Sequence, residues 1–110
     1  MTKYGNNFDG TKPFSDTVWQ MNLASTVEQT VTVPGTNAQI YRAVFTYACN
    51  SNIFIGLNVT AAAPGAGLTT TTANLEFNPI EPKYVKGGDD IHAVTPDAAG
   101  AYLGISLLAL

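Results

Sequence analysis

The chain has 110 residues, of which only 12% are charged, and its formal net charge is −3 at pH 7. Soluble domains usually carry about 25% charged residues, so this composition excludes charge-rich disorder and coiled coils. The five basic residues are scattered along the chain. Without a basic stripe, neither a nucleic acid nor an anionic membrane surface is an expected partner.

The cysteine content and the apolar segments exclude two further classes. Cys49 is the single cysteine, so no internal disulfide can form. The longest uncharged apolar stretch, 98–110, is shorter than the ~20 residues of a transmembrane helix. Residues 1–7 lack the apolar core of a signal peptide, which predicts synthesis in a reducing cytoplasm.

Residues 1–24 differ from the rest of the chain. Phe8, Phe14 and Trp19 alternate with turn-forming residues, and no periodicity is sustained. Two interpretations remain open for this segment. It is either loop and short edge strand covering one end of the core, or an extended arm whose aromatic side chains insert into a neighbouring molecule. The sequence therefore divides into an N-terminal arm or edge segment, 1–24, and a β-sandwich domain, 25–110.

From residue 25 the apolar side chains repeat with a period of two. This alternation predicts a strand over 25–33 that ends at a turn, and a second over 39–49 that is apolar on both faces. The turn residues 50–52 precede a third alternating run, 53–60. The spacing predicts a β-hairpin over 39–60.

The second half of the chain continues with short strands between turns. Alternating or Thr-rich runs predict strands, and Pro and Gly predict the loops between them; the strands fall at 68–72, 74–77, 91–95 and 101–110. No segment has the period of an amphipathic helix. The predicted fold is an all-β, single-domain antiparallel β-sandwich, jelly-roll-like, with six to eight short strands and an extended N-terminal arm.

Candidate catalytic and metal-binding groups are few. His92 is the only histidine, and it shares a strand face with Asp90, so the pair could act as a base and its orienting acid. The alternative is that Asp89 and Asp90 serve the Gly-rich turn while His92 lies on a solvated face. No nucleophile motif and no metal-ligand spacing accompany them. We therefore expect no enzyme activity, no catalytic residue, no cofactor and no metal.

The aromatic residues allow a binding function. Six of them could form a platform on which sugar rings stack: Trp19, Tyr41, Phe45, Tyr47, Phe54 and Tyr102. The alternative is that these side chains are buried in the core of the sandwich, as aromatic side chains commonly are. A carbohydrate-binding or host-adhesion module is therefore one alternative for the function.

The end of the chain predicts association. Residues 98–110 carry no charge and finish with Leu107, Leu108, Ala109 and Leu110, so the last strand is apolar on both faces. One small sandwich covers only one face of a strand. We therefore expect a homo-oligomer or docking onto a larger assembly. The candidate interface residues are Phe8, Phe14, Trp19, Leu107, Leu108 and Leu110.

Three segments resemble a known class of proteins. Segments 85–92 (VKGGDDIH) and 102–107 (YLGISL) look like the closing hairpin of small all-β virion proteins of tailed bacteriophages. Segment 53–64 (IFIGLNVTAAAP) is similar to their preceding strand and Ala-Pro loop. The likeness covers about residues 31–110 and brings no catalytic residues. Such proteins bind the outside of the capsid as decoration or cement, or lie in fibres and necks, and the resemblance does not choose among these places. It implies a virion protein whose partner is the major capsid protein or another virion protein, with a trimer favoured.

Overall fold

The computed structural model describes residues 15–47, 52–63 and 75–110. These residues form eight strands: β1 (Thr17–Leu23), β2 (Gln29–Thr32), β3 (Ile40–Tyr47), β4 (Phe54–Leu57), β5 (Glu76–Phe77), β6 (Lys83–Lys86), β7 (Asp90–Val94) and β8 (Ala101–Ala109). No helix occurs in these three ranges, and hence none that could cross a membrane.

The strands form two four-stranded sheets, with the order β1-β8-β3-β6 in the first and β2-β7-β4-β5 in the second. All strand pairs are antiparallel, and they nest: β1 pairs with β8, β2 with β7, β3 with β6 and β4 with β5. This nesting is a long antiparallel ribbon rolled into two sheets, which is the jelly-roll arrangement. The predicted all-β antiparallel sandwich is confirmed, with eight strands.

The hairpin predicted over 39–60 is wrong. Strand β3 pairs with β6 and β8 in the first sheet, whereas β4 pairs with β5 and β7 in the second. Turn-forming residues at 50–52 do not determine which sheet the next strand joins. Strand β3 forms seven residue pairs with β8, from Tyr41 to Tyr47, more than the four residues of β4 could offer. Strands β7 and β8 likewise lie in different sheets.

The region predicted as arm or edge segment contributes a strand. Residues Thr17–Leu23 form β1 at the edge of the first sheet, as the edge-strand interpretation expected for them. Phe8 and Phe14 lie outside the described residues, as do Cys49 and the predicted strand 68–72.

The core lies between the two sheets and is built from alternate residues. In β8 the odd-numbered side chains Leu103, Ile105 and Leu107 face the second sheet and are fully buried. They meet Leu23 and Tyr41 from the neighbouring strands and side chains of the second sheet. Because side chains alternate along a strand, the even-numbered residues of β8 point away from this core.

Hydrogen bonds between loops hold both ends of the sandwich. At one end, Asn52 donates to Asp97 while the Thr95 hydroxyl donates to the Asn52 carbonyl oxygen at 2.7 Å. At the other end, the Asn58 side chain donates to Asp89 at 3.2 Å and accepts from the Asp90 amide at 2.7 Å. Polar side chains therefore fix the β3–β4 connection to the β7–β8 connection, and the β4–β5 connection to the turn between β6 and β7.

Candidate functional site

The outward side of the second sheet is partly covered by its own chain. Val59 and Leu75 lie so close over Gly56 that a Cβ at this glycine would be 2.6 Å from both side chains. The Phe54 and Phe77 rings pack with their centroids 5.1 Å apart. This side is therefore partly covered, although Phe77 remains 55% exposed.

His92 lies on this covered side, and its partners differ from those predicted. Its Nδ1 atom lies 3.3 Å from the Glu28 carboxylate and 3.1 Å from the Thr30 hydroxyl. Asp90 instead accepts a hydrogen bond from the Thr32 hydroxyl at 2.7 Å. Asp90 therefore engages other groups, and the structure shows no hydrogen bond between it and His92. Within the described ranges, no three His, Cys, Asp or Glu side chains are grouped to hold a metal ion.

Glu28 links two parts of this side. Besides its contact with His92, its carboxylate accepts a hydrogen bond from the backbone amide of Ala61. Ala61 belongs to the connection that follows β4, and its side chain is buried. The Glu28–His92 pair is therefore a structural contact that holds a loop on the second sheet.

The outward side of the first sheet contrasts with the second. The even-numbered residues of its strands form what we name the open face: Val18, Gln20, Asn22, Ile40, Arg42, Val44, Thr46, Tyr84, Lys86, Tyr102, Gly104, Ser106 and Leu108. Tyr84 is 72% exposed, Tyr102 is 65% exposed and Ile40 is 47% exposed. Val18 is 54% exposed, so large apolar side chains are exposed to solvent on all four strands.

The charges on the open face have one sign. Arg42 and Lys86 are its only charged side chains, although the whole chain carries a net charge of −3. Asp16 precedes β1, and its carboxylate accepts a hydrogen bond from the Ala109 amide at 2.7 Å, which ties it to the strand end. The open face therefore combines exposed apolar side chains with uncharged polar ones, and it is weakly basic.

A shallow depression lies in the open face above Gly104. Gln20 and Thr46 flank this glycine on the neighbouring strands, in the same row of the sheet. A Cβ at position 104 would collide with the Thr46 hydroxyl, so the lack of a side chain keeps the floor low. Val18, Tyr102 and Ser106 complete the walls. The depression thus combines one exposed aromatic ring with several uncharged hydrogen-bonding groups.

The structure places the described candidate interface residues at different depths. Leu107 is fully buried, because odd-numbered positions of β8 face the core, so it presents no surface to a partner. Trp19 is partly buried and packs against the core from the edge strand. Leu108 belongs to the open face, and Leu110 beyond it is 44% exposed.

The aromatic platform predicted for sugars is not assembled on one surface. Tyr41 and Phe45 are core residues, and Phe54 lies on the second sheet. Tyr102 alone among the six belongs to the open face. Tyr84, which the sequence analysis did not select, is the more exposed tyrosine. The sequence KYVK of Lys83–Lys86 could have indicated this exposure, because neighbouring residues of a strand face opposite sides and Val85 is buried.

Two core-facing tyrosines have perturbed acidities. Burial, followed by the charge of Asp16, raises the pKa of Tyr41, and its hydroxyl has no hydrogen-bond partner among the described residues. Burial, followed by the charge of Glu76, raises the pKa of Tyr47, whose hydroxyl donates to the Pro79 carbonyl oxygen at 2.7 Å. Both side chains serve the interior of the fold, where the neutral phenol is favoured.

Comparisons of this chain with protein-family models, with curated proteins and with solved structures find no match. Its function is therefore inferred here from its own geometry.

Proposed function

We propose that this chain is a structural protein of a virion, which self-associates and binds the outer surface of the capsid as a decoration or cement protein. The observation that carries the proposal is the open face. It exposes Ile40, Tyr84 and Tyr102 on one side of a sheet whose other side is the core. Ile40 and Tyr84 lie at one end of this face, and Tyr102 lies at the other end, beyond the row of Gln20, Gly104 and Thr46. Exposed apolar side chains grouped on one face can mark a site of protein–protein interaction.

The charges of the open face favour a neutral or acidic partner surface. Arg42 and Lys86 stand among apolar residues, and none of the strand residues of this face is acidic. A basic partner would place like charges opposite each other, which costs several kcal/mol at an interface. A capsid surface presenting acidic side chains around an apolar patch would match this pattern.

Repetition strengthens such binding. The binding free energy of one copy is what remains after the entropic cost of association has been subtracted. Copies that are joined in an oligomer bind a lattice of identical sites together, so their overall affinity exceeds that of one copy. An oligomer docked where shell subunits meet would stabilise the shell by mass action. The jelly-roll arrangement occurs in viral capsid proteins and in lectins, which supports the proposal only as an analogy of fold.

The test compares two isoleucines. Ile40 lies on the open face, whereas Ile80 is 83% exposed in the connection between β5 and β6. We expect Ile40→Glu to weaken co-sedimentation with empty shells of the virus particle by at least about tenfold, since a charge is buried against apolar area. The matched control Ile80→Glu should leave co-sedimentation unchanged.

Native mass spectrometry reports the number of copies, for which the sequence favours a trimer. A wild-type chain that stays monomeric at high micromolar concentration and fails to co-sediment with shells would contradict the proposal. If Ile40→Glu and Ile80→Glu had equal effects, the open face would not be the docking surface.

The second candidate function is carbohydrate binding, favoured by the depression above Gly104. Tyr102 supplies an aromatic ring beside the amide of Gln20 and the hydroxyl of Thr46. Sugar recognition combines such stacking surfaces with a few hydrogen-bonding groups. A glycan panel with Tyr102→Ala and the control Tyr84→Ala separates the candidates. Binding lost only in Tyr102→Ala supports a glycan site, and no binding by the wild-type chain removes it.

A further inference from the structure

The two sheets have four edge strands among the described elements, and three of them are guarded. Strand β6 has a lysine at each end and follows Pro82. Strand β2 has four residues between Glu28 and Pro34, and β5 has only two residues, followed closely by Pro79. Charges, prolines and short length are the usual means by which proteins prevent edge strands from pairing with other chains.

Strand β1 has fewer of these guards: Asp16 directly precedes it, but that carboxylate accepts a hydrogen bond from the Ala109 amide of β8. Its seven residues, Thr17–Leu23 (TVWQMNL), include no charged residue and no proline. In the described part of the chain β1 pairs with β8 alone, and no described strand lies along its other edge. Among the β1 backbone groups, the Asn22 carbonyl oxygen also accepts a hydrogen bond from the Gln29 side-chain amide at 3.2 Å. Seven residues span about 24 Å, which is long enough for a full strand pairing.

Both sides of this edge also carry apolar surface. Val18, 54% exposed, points to the open face. Trp19 points the other way and is only partly buried, although it packs against the core. A strand added at this edge would cover the remaining surface of both side chains.

The geometry points to a second copy of this chain as the occupant: β1 pairs antiparallel with β1 of another molecule, so that two first sheets join into one eight-stranded sheet. Such a two-fold contact requires a surface that is complementary to itself. Full overlap puts Gln20 of each copy on the axis, Val18 beside Asn22 and Trp19 beside Met21. All of these are neutral, so no like charges meet, whereas β6 paired with itself would oppose lysines.

The inference rests on the self-association proposed above and specifies its contact. Joining the sheets through β1 makes the two open faces continuous, which doubles the area available for docking on a larger assembly. A two-fold contact gives a dimer or another even-numbered assembly. It therefore departs from the trimer that the sequence favours.

A charge-swap experiment tests the pairing on the full chain. Gln20→Lys and Gln20→Glu each place like charges opposite one another on the axis, and each should weaken the dimer by at least about tenfold. Mixing the two variants places opposite charges on the axis and should restore a heterodimer in native mass spectra. That rescue cannot occur if either substitution merely unfolds the chain.

Thr46→Lys is the matched control. Thr46 lies in the same row of the sheet as Gln20, beyond Gly104, but on the interior strand β3. It should leave the dimer intact. Trp19, the single tryptophan, gives a second readout, because its emission should shift to shorter wavelength as wild-type dimers form and should not shift in Gln20→Lys.

Four outcomes would overturn the pairing. A wild-type trimer would contradict the pairing but not the proposed function. A wild-type dimer that Gln20→Lys does not weaken would likewise contradict only the pairing. Protection of the outer β1 amides from hydrogen exchange in monomeric Gln20→Lys would show that the chain covers its own edge. A wild-type monomer that also fails to bind shells would overturn the proposed function as well.

Discussion

Asp97 holds Asn52 with both of its carboxylate oxygens. The Asn52 backbone amide donates to Oδ2 at 3.1 Å, and the Asn52 side-chain amide donates to Oδ1 at 2.8 Å. Asn52 lies between β3 and β4, and Asp97 lies between β7 and β8. The pair therefore joins two connections that each pass from one sheet to the other.

Removing this carboxylate should destabilise the fold. We expect Asp97→Ala to lower the free energy of unfolding by about 2 kcal/mol, since hydrogen bonds to charged groups contribute about 1.5–3 kcal/mol. Urea denaturation measures the change. The control Glu81→Ala removes the same charge from an exposed position in the connection between β5 and β6 and should change stability by less than about 0.5 kcal/mol. Equal losses would mean that net charge, not the contact, is responsible.

The adjacent glycines of the β6–β7 turn should respond differently to substitution. A Cβ at Gly87 would lie 2.6 Å from the carbonyl carbon of Gly35, a backbone atom that cannot rotate away. Gly88 has open space around it but a φ of +91°. We expect Gly87→Ala to cost about 3 kcal/mol by overpacking and Gly88→Ala about 1 kcal/mol by backbone strain.

Asparagine distinguishes the two causes in the same denaturation experiment. It tolerates a left-handed backbone better than alanine does, so Gly88→Asn should be less costly than Gly88→Ala. Gly87→Asn should be at least as costly as Gly87→Ala, because its Cβ meets the same carbonyl. The reverse order at either position would disagree with the turn as described.

The hydroxyls of Tyr41 and Tyr47 provide a matched pair. Tyr41 is fully buried with no hydroxyl partner in the described ranges, whereas Tyr47 donates to the Pro79 carbonyl oxygen. Tyr41→Phe should leave stability unchanged or raise it by about 1 kcal/mol, since it removes an unsatisfied polar group. Tyr47→Phe should lower stability by about 1 kcal/mol. Thermal and urea unfolding should agree, and a clear loss in Tyr41→Phe would reveal a partner for its hydroxyl.

The same two tyrosines predict a loss of stability at alkaline pH. Burial raises the pKa of both above the ordinary value of 10.0. The unfolded chain therefore releases these protons first, so the stabilisation is complete below pH 10 and declines as the pH rises above it. The decline is at most about 1.4 kcal/mol per pH unit for each tyrosine. Unfolding from pH 8 to 11.5 should show a shallower slope in the double variant Tyr41→Phe with Tyr47→Phe.

Alternation along the chain was sufficient to predict the class of fold and much of its core. Core residues such as Tyr41, Ile91 and Leu103 each belong to a run in which core-facing side chains recur at every second position. This period of two determines which side of a sheet a side chain faces. It does not determine which strands are neighbours. For that reason β3 and β4 were predicted as a hairpin, although they lie in opposite sheets.

The candidate site was predicted only in part. The apolar outward side of the last strand was visible in Leu108 and Leu110, but the open face also needs Ile40, Tyr84 and Val18 from three other strands. Only the strand order brings these residues onto one surface. Leu107 was predicted as an interface residue together with Leu108 and Leu110, because a continuous apolar run does not itself show which alternate residues face the core.

The pairing of β1 with β8 has a consequence for how the chain folds. Thr17 lies opposite Leu107, and β8, which comes last among the strands in sequence, occupies an interior position between β1 and β3. During translation, the first sheet cannot form until β8 has emerged from the ribosome. High contact order of this kind slows folding to milliseconds or longer, and until then β1 and β3 remain exposed to aggregation.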